Sequence, residues 1–429
     1  LSPAKRTAAM KAAVAPLKSQ NWFEGALNSD NAPSIFGTGA DVGYAPVRKL
    51  ADQSTTRGES FSLRALNGPG LVEGPEMLNG EDTFRIGVLT AGVPLQKSEF
   101  GNRLTSRLSS LQLPPLKVFS EQVHQSASAV RDGVSTLQNE AHPHAVIAVL
   151  PDPDALDEDL YAPLKRSAAQ HDLPSQVITE DTLDNKYAVD NIALGVVSKM
   201  GGVPFLLEEP LPYADRVVGL DIARKEKERT AGTMSVAAST HHFGADGRLR
   251  HYATQDVRVE GETLPPDVLR DLFPKDEYEG KRILVHRDGP FRGSEAETLM
   301  ELGSEIGASF SLVEVLKKGA SRLYEYRDQD IHQISKGVFL TLSENAAYVA
   351  SSPPPFDRST SQPLQVRVRD GDLSIEQAIH SVLSFTLMHH GSLRPPRLPV
   401  TIHYSDNIAK LLMDGIQPPQ PEGRKPYWL

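Results

Sequence analysis

The sequence predicts an α/β protein made of two successive sheet-containing regions, on three observations. Apolar runs of strand length, such as Phe84-Arg-Ile-Gly-Val-Leu89 and Ala145-Val-Ile-Ala-Val-Leu150, alternate with stretches of helical periodicity. Runs of that kind belong to strands covered on both faces, and their alternation with helices belongs to parallel sheets. The chain has 429 residues, 39% of them hydrophobic; at roughly 100–200 residues per domain this allows about two to four domains. There is no cysteine, so neither a disulfide framework nor a thiolate metal site or nucleophile is available.

Taken in order, residues 1–80 begin with a helix-friendly stretch, Ala8–Leu17, and continue as Gly-, Pro-, Asn- and Ser-rich chain, read as a wrap or linker. Residues 81–213 hold the strands at Phe84 and Ala145, helices over Ser98–Leu111, Leu160–Gln170 and Lys186–Met200, and a strand at Ser175-Gln-Val-Ile-Thr179. A parallel sheet of this kind takes ligands at the carboxyl ends of its strands. Residues 214–429 continue with a strand at Val217-Val-Gly-Leu-Asp-Ile222, a meander over Thr233–Ser239 and Arg248–Val257, and a helix over Leu264–Phe273. Strands at Arg282-Ile-Leu-Val-His286 and Ser311–Leu316 flank a helix over Glu295–Ile306, and helices over Ser374–Met388 and from Ile408 follow. Loops are expected at Pro353-Pro-Pro355 and Pro418–Pro421.

The formal net charge is −10 and the mean hydropathy −0.33. The charge weighs against a nucleic-acid binder, although a metal nuclease needs acids and a groove can be basic on an acidic protein. No apolar run has the length of a membrane span, and no signal peptide is visible at Leu1-Ser-Pro. The expectation is a soluble, cytoplasmic protein, with a first residue that is not its native start.

Two constellations stand out. Asp221 interrupts an apolar strand, Asp288 closes His286-Arg287-Asp288-Gly289, and Asp406 follows Pro399-Val-Thr-Ile-His-Tyr-Ser405 at the expected start of the last helix. A charge inside a buried strand is costly unless paired or metal-bound, and several carboxylates suit hard divalent ions. Each one alone also reads as an ordinary strand-end or N-cap aspartate. The second set is Tyr161 and Lys165 on one helix face, Gln176 after Leu173-Pro-Ser175, and Lys199 before Gly201-Gly202. These suit a terminal phosphate with its base, or are scattered surface polar residues. The histidine pairs at 241–242 and 389–390 and the His142-Pro-His144 set lack zinc-protease spacing, and there is no Lys-Ser/Thr phosphate loop or Gly-x-Ser-x-Gly elbow.

With Tyr161…Lys165…Gln176…Lys199-Met-Gly-Gly202-Val-Pro in the first region and Asp221…Arg287-Asp-Gly…Asp406 in the second, the chain over about 80–429 resembles the MID and PIWI domains of prokaryotic Argonautes. The Asp221–Asp288 separation, 288 − 221 = 67, fits that family's first and third catalytic aspartates. The resemblance implies a Rossmann-like MID domain followed by an RNase H-like PIWI domain. It implies a catalytic tetrad of Asp221, Glu262, Asp288 and Asp406, with Glu260 as the near alternative for the second member. Asp221, Asp288 and Asp406 would hold Mg²⁺ or Mn²⁺ and cleave a phosphodiester to a 3′-hydroxyl and a 5′-phosphate.

The same resemblance implies that Tyr161 stacks on the first guide base. Lys165, Gln176 and Lys199 would hold the guide's 5′-phosphate, with a metal ion ligated by the Leu429 carboxylate. The apolar end Lys425-Pro-Tyr-Trp-Leu429 resembles the family's C-termini and is expected to be native. The implied partners are a guide strand and a complementary target, DNA or RNA. About 80 residues before the first sheet cannot hold N and PAZ domains. A fragment is therefore expected, or a short form whose partner chain supplies them. The function expected is a guide-directed endonuclease of prokaryotic defence; a non-cleaving guided sensor and an ordinary α/β metabolic enzyme are the other classes.

Overall fold

The computed structural model describes residues 39–92, 99–185, 187–225, 234–259, 265–327, 330–352, 362–418 and 420–429, with positions 5, 8, 9 and 12 near the start. Most of the helix expected over 8–17, the loop at 353–355, and Glu260 and Glu262 lie outside the described residues.

Three short strands open the described chain: β1 (Ala40–Asp41), β2 (Val47–Lys49) and β3 (Thr55–Arg57). The first sheet region follows as β4 (Phe84–Ala91), α1 (Glu99–Ser109), β5 (Leu116–Val123), α2 (Ala127–Ala141), β6 (Ala145–Leu150), α3 (Tyr161–Gln170), β7 (Ser175–Thr179) and α4 (Ala188–Lys199). Its four strands are all parallel, in the order β5-β4-β6-β7. The pleat sends alternate residues to opposite faces. Ile86, Val88, Ile147 and Val149 pack under α1 and α4, while Leu89, Ala91, Val146 and Ala148 pack under α2 and α3. That double burial is why β4 and β6 read as unbroken apolar runs. β5 and α2 were not expected from the sequence. β5 is an edge strand with half its side chains exposed, and α2 carries Gly133 among polar residues. A Cβ at Gly133 would lie 2.7 Å from Val123 and 2.8 Å from Leu89, so the helix can sit this close to the sheet only with glycine there.

After β8 (Leu206–Leu207), the second region runs β9 (Arg216–Lys225), β10 (Met234–Gly244), β11 (Leu249–Val259), α5 (Pro266–Asp271), β12 (Arg282–Asp288), α6 (Glu295–Ile306) and β13 (Ser309–Leu316). It continues with β14 (Val338–Ser343), β15 (Ala346–Val349), β16 (Leu364–Asp370), α7 (Ile375–Thr386), α8 (Val400–Met413) and β17 (Glu422–Gly423). The sheet order is β1-β14-β15-β16-β13-β12-β9-β10-β11-β17. At its centre β9, β12 and β13 are parallel; β9, β10 and β11 form the expected antiparallel meander. α5 and α6 cover one face through Leu269, Leu299 and Leu302. α7 and α8 cover the other, in a hydrophobic cluster that continues into the first region through Val197 and Phe205.

Two expectations change. The last helix begins at Val400, not near Ile408, so Asp406 lies in its middle rather than at its start. The β-branched Val400-Thr-Ile402 after Pro399 reads as strand, but Val400 and Ile402 are buried and tertiary packing overrides the propensity. The stretch at 39–80 is more than a linker: β1 joins the second sheet beside β14, and β2 lies between β3 and β8.

Candidate active site and anion pocket

The acids meet at the centre of the second sheet. Arg287 on β12 is in register with Leu220 on β9, so Asp288, the last residue of β12, and Asp221, midway along β9, follow side by side. Asp406 comes from α8, which crosses β9 at Gly219. A Cβ there would lie 2.0 Å from Thr401 O, so only glycine allows this approach. His286 also ties α8 down. Its Nδ1 is 2.9 Å from Thr401 Oγ1 and its Nε2 2.9 Å from Ser381 Oγ on α7. Burial holds its pKa down to about 3, so the ring is neutral, one nitrogen donating and the other accepting.

Donor oxygens of Asp221, Asp288 and Asp406 lie within 4.8 Å of one another. Burial raises the pKa of the Asp221 carboxyl, against the Arg287 charge. Asp288 is pushed up to about 6 by burial and then by Asp221, with Lys317 opposing. Three carboxylates this close repel unless cations share them. Lys317 Nζ lies 2.6 Å from Asp288 Oδ2 and also donates to Asp406 Oδ1. Burial disfavours its charge, but these two carboxylates outweigh that and raise its pKa above the usual lysine value. Arg287, almost fully buried, sits 3.8 Å from Asp221 Oδ1 and pairs with the buried Glu295 at 3.2 Å. An oxygen-only donor set with a cation already drawn into it fits hard divalent ions. Sequence reasoning missed Gly219, His286, Arg287, Glu295 and Lys317. Of these only His286 and Arg287 carried a signal, as flanks of Asp288.

The basic set assembles between the regions. Lys165 Nζ on α3 donates to Ser175 O at 2.9 Å and lies 5.7 Å from the centroid of the exposed Tyr161 ring. Lys199, the last residue of α4, donates to Gln176 Oε1 at 2.6 Å, and Gln176 Nε2 donates to Val177 O at 3.0 Å. Burial pushes Lys165 down to about 8; burial and then the Lys165 charge push Lys199 well below the lysine range. The two lysines line a cavity of about 130 Å³ closed by Tyr252, Arg424, Lys425 and Tyr427. Leu429 does not line it; it lines a smaller cavity with Ser198 and Gly202. The pocket lies at the amino end of β7, where Ser175 and Gln176 begin the strand, and not at the carboxyl ends. It is built there because both lysines reach in from helices and the chain's last residues close over them.

Residues 145–417 match the family model described as the Piwi domain. The protein argonaute of Aquifex aeolicus is 34% identical over 277 residues, 63% of this chain and 38% of that protein. That of Methanocaldococcus jannaschii is 25% identical over 315 residues, 70% of this chain and 42% of that protein. Among solved structures, Aquifex aeolicus Argonaute with externally bound siRNA is similar with a TM-score of 0.72 and 27% identity, covering 91% of this chain and 56% of that one. Clostridium butyricum Argonaute bound to a guide DNA and a 19-mer target DNA gives a TM-score of 0.75 at 20% identity, covering 91% and 54%, and this likeness shows the fold alone. The chain spans about two-fifths of the length of these curated relatives and about half of these solved chains. Among the described residues no helix is long and apolar enough to cross a membrane.

Proposed function

This chain belongs to the Piwi-domain family of Argonaute proteins, with an α/β fold of Rossmann-like and RNase H-like sheets, and we propose that it holds a guide strand by its 5′-phosphate and cuts a complementary target. The observation that carries this reading is the convergence of the Asp221, Asp288 and Asp406 oxygens within 4.8 Å. We assign guide binding to a MID domain over 81–213 and cleavage to a PIWI domain over 214–429, after an extension over 1–80; the Piwi match itself starts inside the first sheet region, at residue 145.

In the anion pocket, Lys165 and Lys199 supply the charge that pairs with the terminal phosphate, Gln176 orients Lys199, and Tyr161 offers its ring to the first base. Leu429, which lines the separate smaller cavity, would hold a metal ion through its carboxylate. At the acid cluster, Asp221, Asp288 and Asp406 would hold Mg²⁺ or Mn²⁺, which would supply Lewis acidity for phosphodiester hydrolysis. Asp288, at the end of β12, and Asp221, beside it on β9, fix two of the ligand positions on rigid strands. His286 and the Gly219 crossing fix Asp406 against them. The second member of the tetrad is Glu262, with Glu260 as the neighbour to be tested against it by Glu→Gln exchange at each position.

The test is cleavage of a guide-matched strand by the loaded protein in Mn²⁺ and in EDTA, beside Asp288→Ala. Cutting that needs the match, the metal and Asp288 is the expected result. Matched-strand binding without cutting assigns the chain instead to the guided, non-cleaving class. Absence of matched-strand binding overturns both.

A further inference from the structure

The acid cluster carries its own cation. Asp221, Asp288 and Lys317 come from three neighbouring strands: Asp221 from the middle of β9, Asp288 from the end of β12, and Lys317 as the residue after β13. The Lys317 ammonium bridges Asp288 and Asp406, two of the three proposed metal ligands. The backbone beneath it is pinned. Arg397 donates to Lys317 O from Nη1 at 3.5 Å and from Nη2 at 3.4 Å, and Gln362 Nε2 donates to the same oxygen at 3.4 Å. Arg397 Nη1 also donates to Gln362 O at 3.2 Å, which holds this stretch of chain to the end of β13. The neighbouring Lys318 is exposed. One of two adjacent lysines is thus fixed onto the acids while the other faces solvent.

The ammonium takes one oxygen of each of Asp288 and Asp406, so a hard divalent ion drawn to the same two carboxylates meets a rival donor and a like charge there. We infer that Lys317 is the resident counter-ion of the cluster, that a divalent ion must displace it, and that it therefore sets the metal affinity of the site. This rests on the metal-dependent reading proposed above. The exchange is one of ions alone: the ammonium leaves the two carboxylates as the metal arrives, and no bond forms or breaks covalently. In the absence of metal, Lys317 holds Asp288 and Asp406 together; in its presence, Lys317 is the competitor.

The experiment is calorimetric titration of Mn²⁺ into the full chain, stripped with EDTA and free of nucleic acid, together with melting in EDTA and in saturating Mn²⁺. Lys317→Met should bind Mn²⁺ about tenfold more tightly than the unaltered chain, since a competing charge pair is gone. It should also melt lower in EDTA and gain more from Mn²⁺. Lys318→Met removes the same charge without touching the acids and should stay within about twofold. Lys317→Gln, which keeps length and polarity, repeats the comparison if the methionine variant does not fold. Mn²⁺ affinity unchanged or weakened in both Lys317 variants, with the unaltered chain binding, overturns the inference and leaves the proposed function standing. An equal gain in Lys318→Met also overturns it, as generic charge removal. If the unaltered chain binds no Mn²⁺, the metal-dependent reading falls and the inference with it.

Discussion

The two sites hold charge in opposite ways. In the first region two buried lysines share a cavity, and their hydrogen-bond partners are a carbonyl and an amide rather than carboxylates. In the second, three carboxylates crowd together around one lysine. The first arrangement gathers amines and the second carboxylates, each in a place where burial disfavours the charged form. Each is unfavourable alone and each becomes favourable when an ion of the other sign arrives. Placement differs as well. Asp221 and Asp288 sit on neighbouring parallel strands, with Asp406 brought to them by α8, whereas the lysines reach to the amino end of β7 from helices. The difference shows why a net charge of −10 does not describe the local charge of either site. A few desolvated cations act far more strongly than their number suggests.

If the two sites divide the work, damage to one should spare the other. Asp221→Ala should lower matched-target cleavage by roughly 10³-fold or more, while guide affinity in a filter-binding titration stays within about threefold. A parallel fall in guide affinity would mean that the sites are one unit. The converse change, Lys165→Ala with Lys199→Ala, should remove about 10²-fold or more of the preference for a 5′-phosphorylated over a 5′-hydroxyl guide, as expected for two charge-assisted contacts. Equal binding of the two guides by the unaltered chain would defeat the pocket assignment outright.

Gly219→Ala tests how the acidic site is held rather than what it binds. Its Cβ would meet Thr401 O, so α8 must shift away from β9. A loss of about 1–3 kcal/mol in urea unfolding is expected, with cleavage impaired beyond what that loss explains because Asp406 moves. Unchanged cleavage would show that the crossing tolerates slack.

The smallest effect is a pH dependence of the basic pocket. Lys165 is depressed by burial from 10.5 to about 8, and a phosphate beside it would raise it again. Binding then takes up a proton near and above pH 8, so the preference for the phosphorylated guide should weaken roughly tenfold between pH 7 and pH 9. Without guide, the unfolded chain holds more protons than the folded one between about pH 8 and 10.5, so this group's contribution to stability should rise with pH across that window. A preference that strengthened toward pH 9 would sink the assignment of Lys165 as a phosphate cation.

How much of this was legible in the sequence depended on range. β4 and β6 could be read because burial on both faces makes their residues uniformly apolar. β5 could not, because an edge strand with Lys117, Ser120 and Gln122 facing water lacks that signature. Asp221 was visible as a charge in an apolar run, and Asp288 as the end of a strand. Lys317 was not, since its meaning lies in contacts to residues 29 and 89 positions away, 317 − 288 and 406 − 317. The same holds for Gly219, whose constraint is set by Thr401. Local propensity carries information about neighbours in the chain, whereas the cavity between Lys165 and Tyr427 is made by segments that meet only after folding.

The strap formed by residues 39–80 has a consequence for the order of events during synthesis. β1 pairs Ala40 with Phe339, 339 − 40 = 299 residues later, and β2 pairs Arg48 with Leu207. At roughly 5–20 residues per second, a ribosome needs about 15–60 s to make the partner of β1 after β1 itself. Through that interval the first parallel sheet can close, because all its strands lie between residues 84 and 179. β1 cannot pair. Lys336, whose ammonium donates to Glu59 at 2.7 Å and lies 5.0 Å from the Tyr44 ring centroid, is buried by the same late docking. A strand made early is therefore among the last to find its place, and the strand edge at β14 stays open until it does.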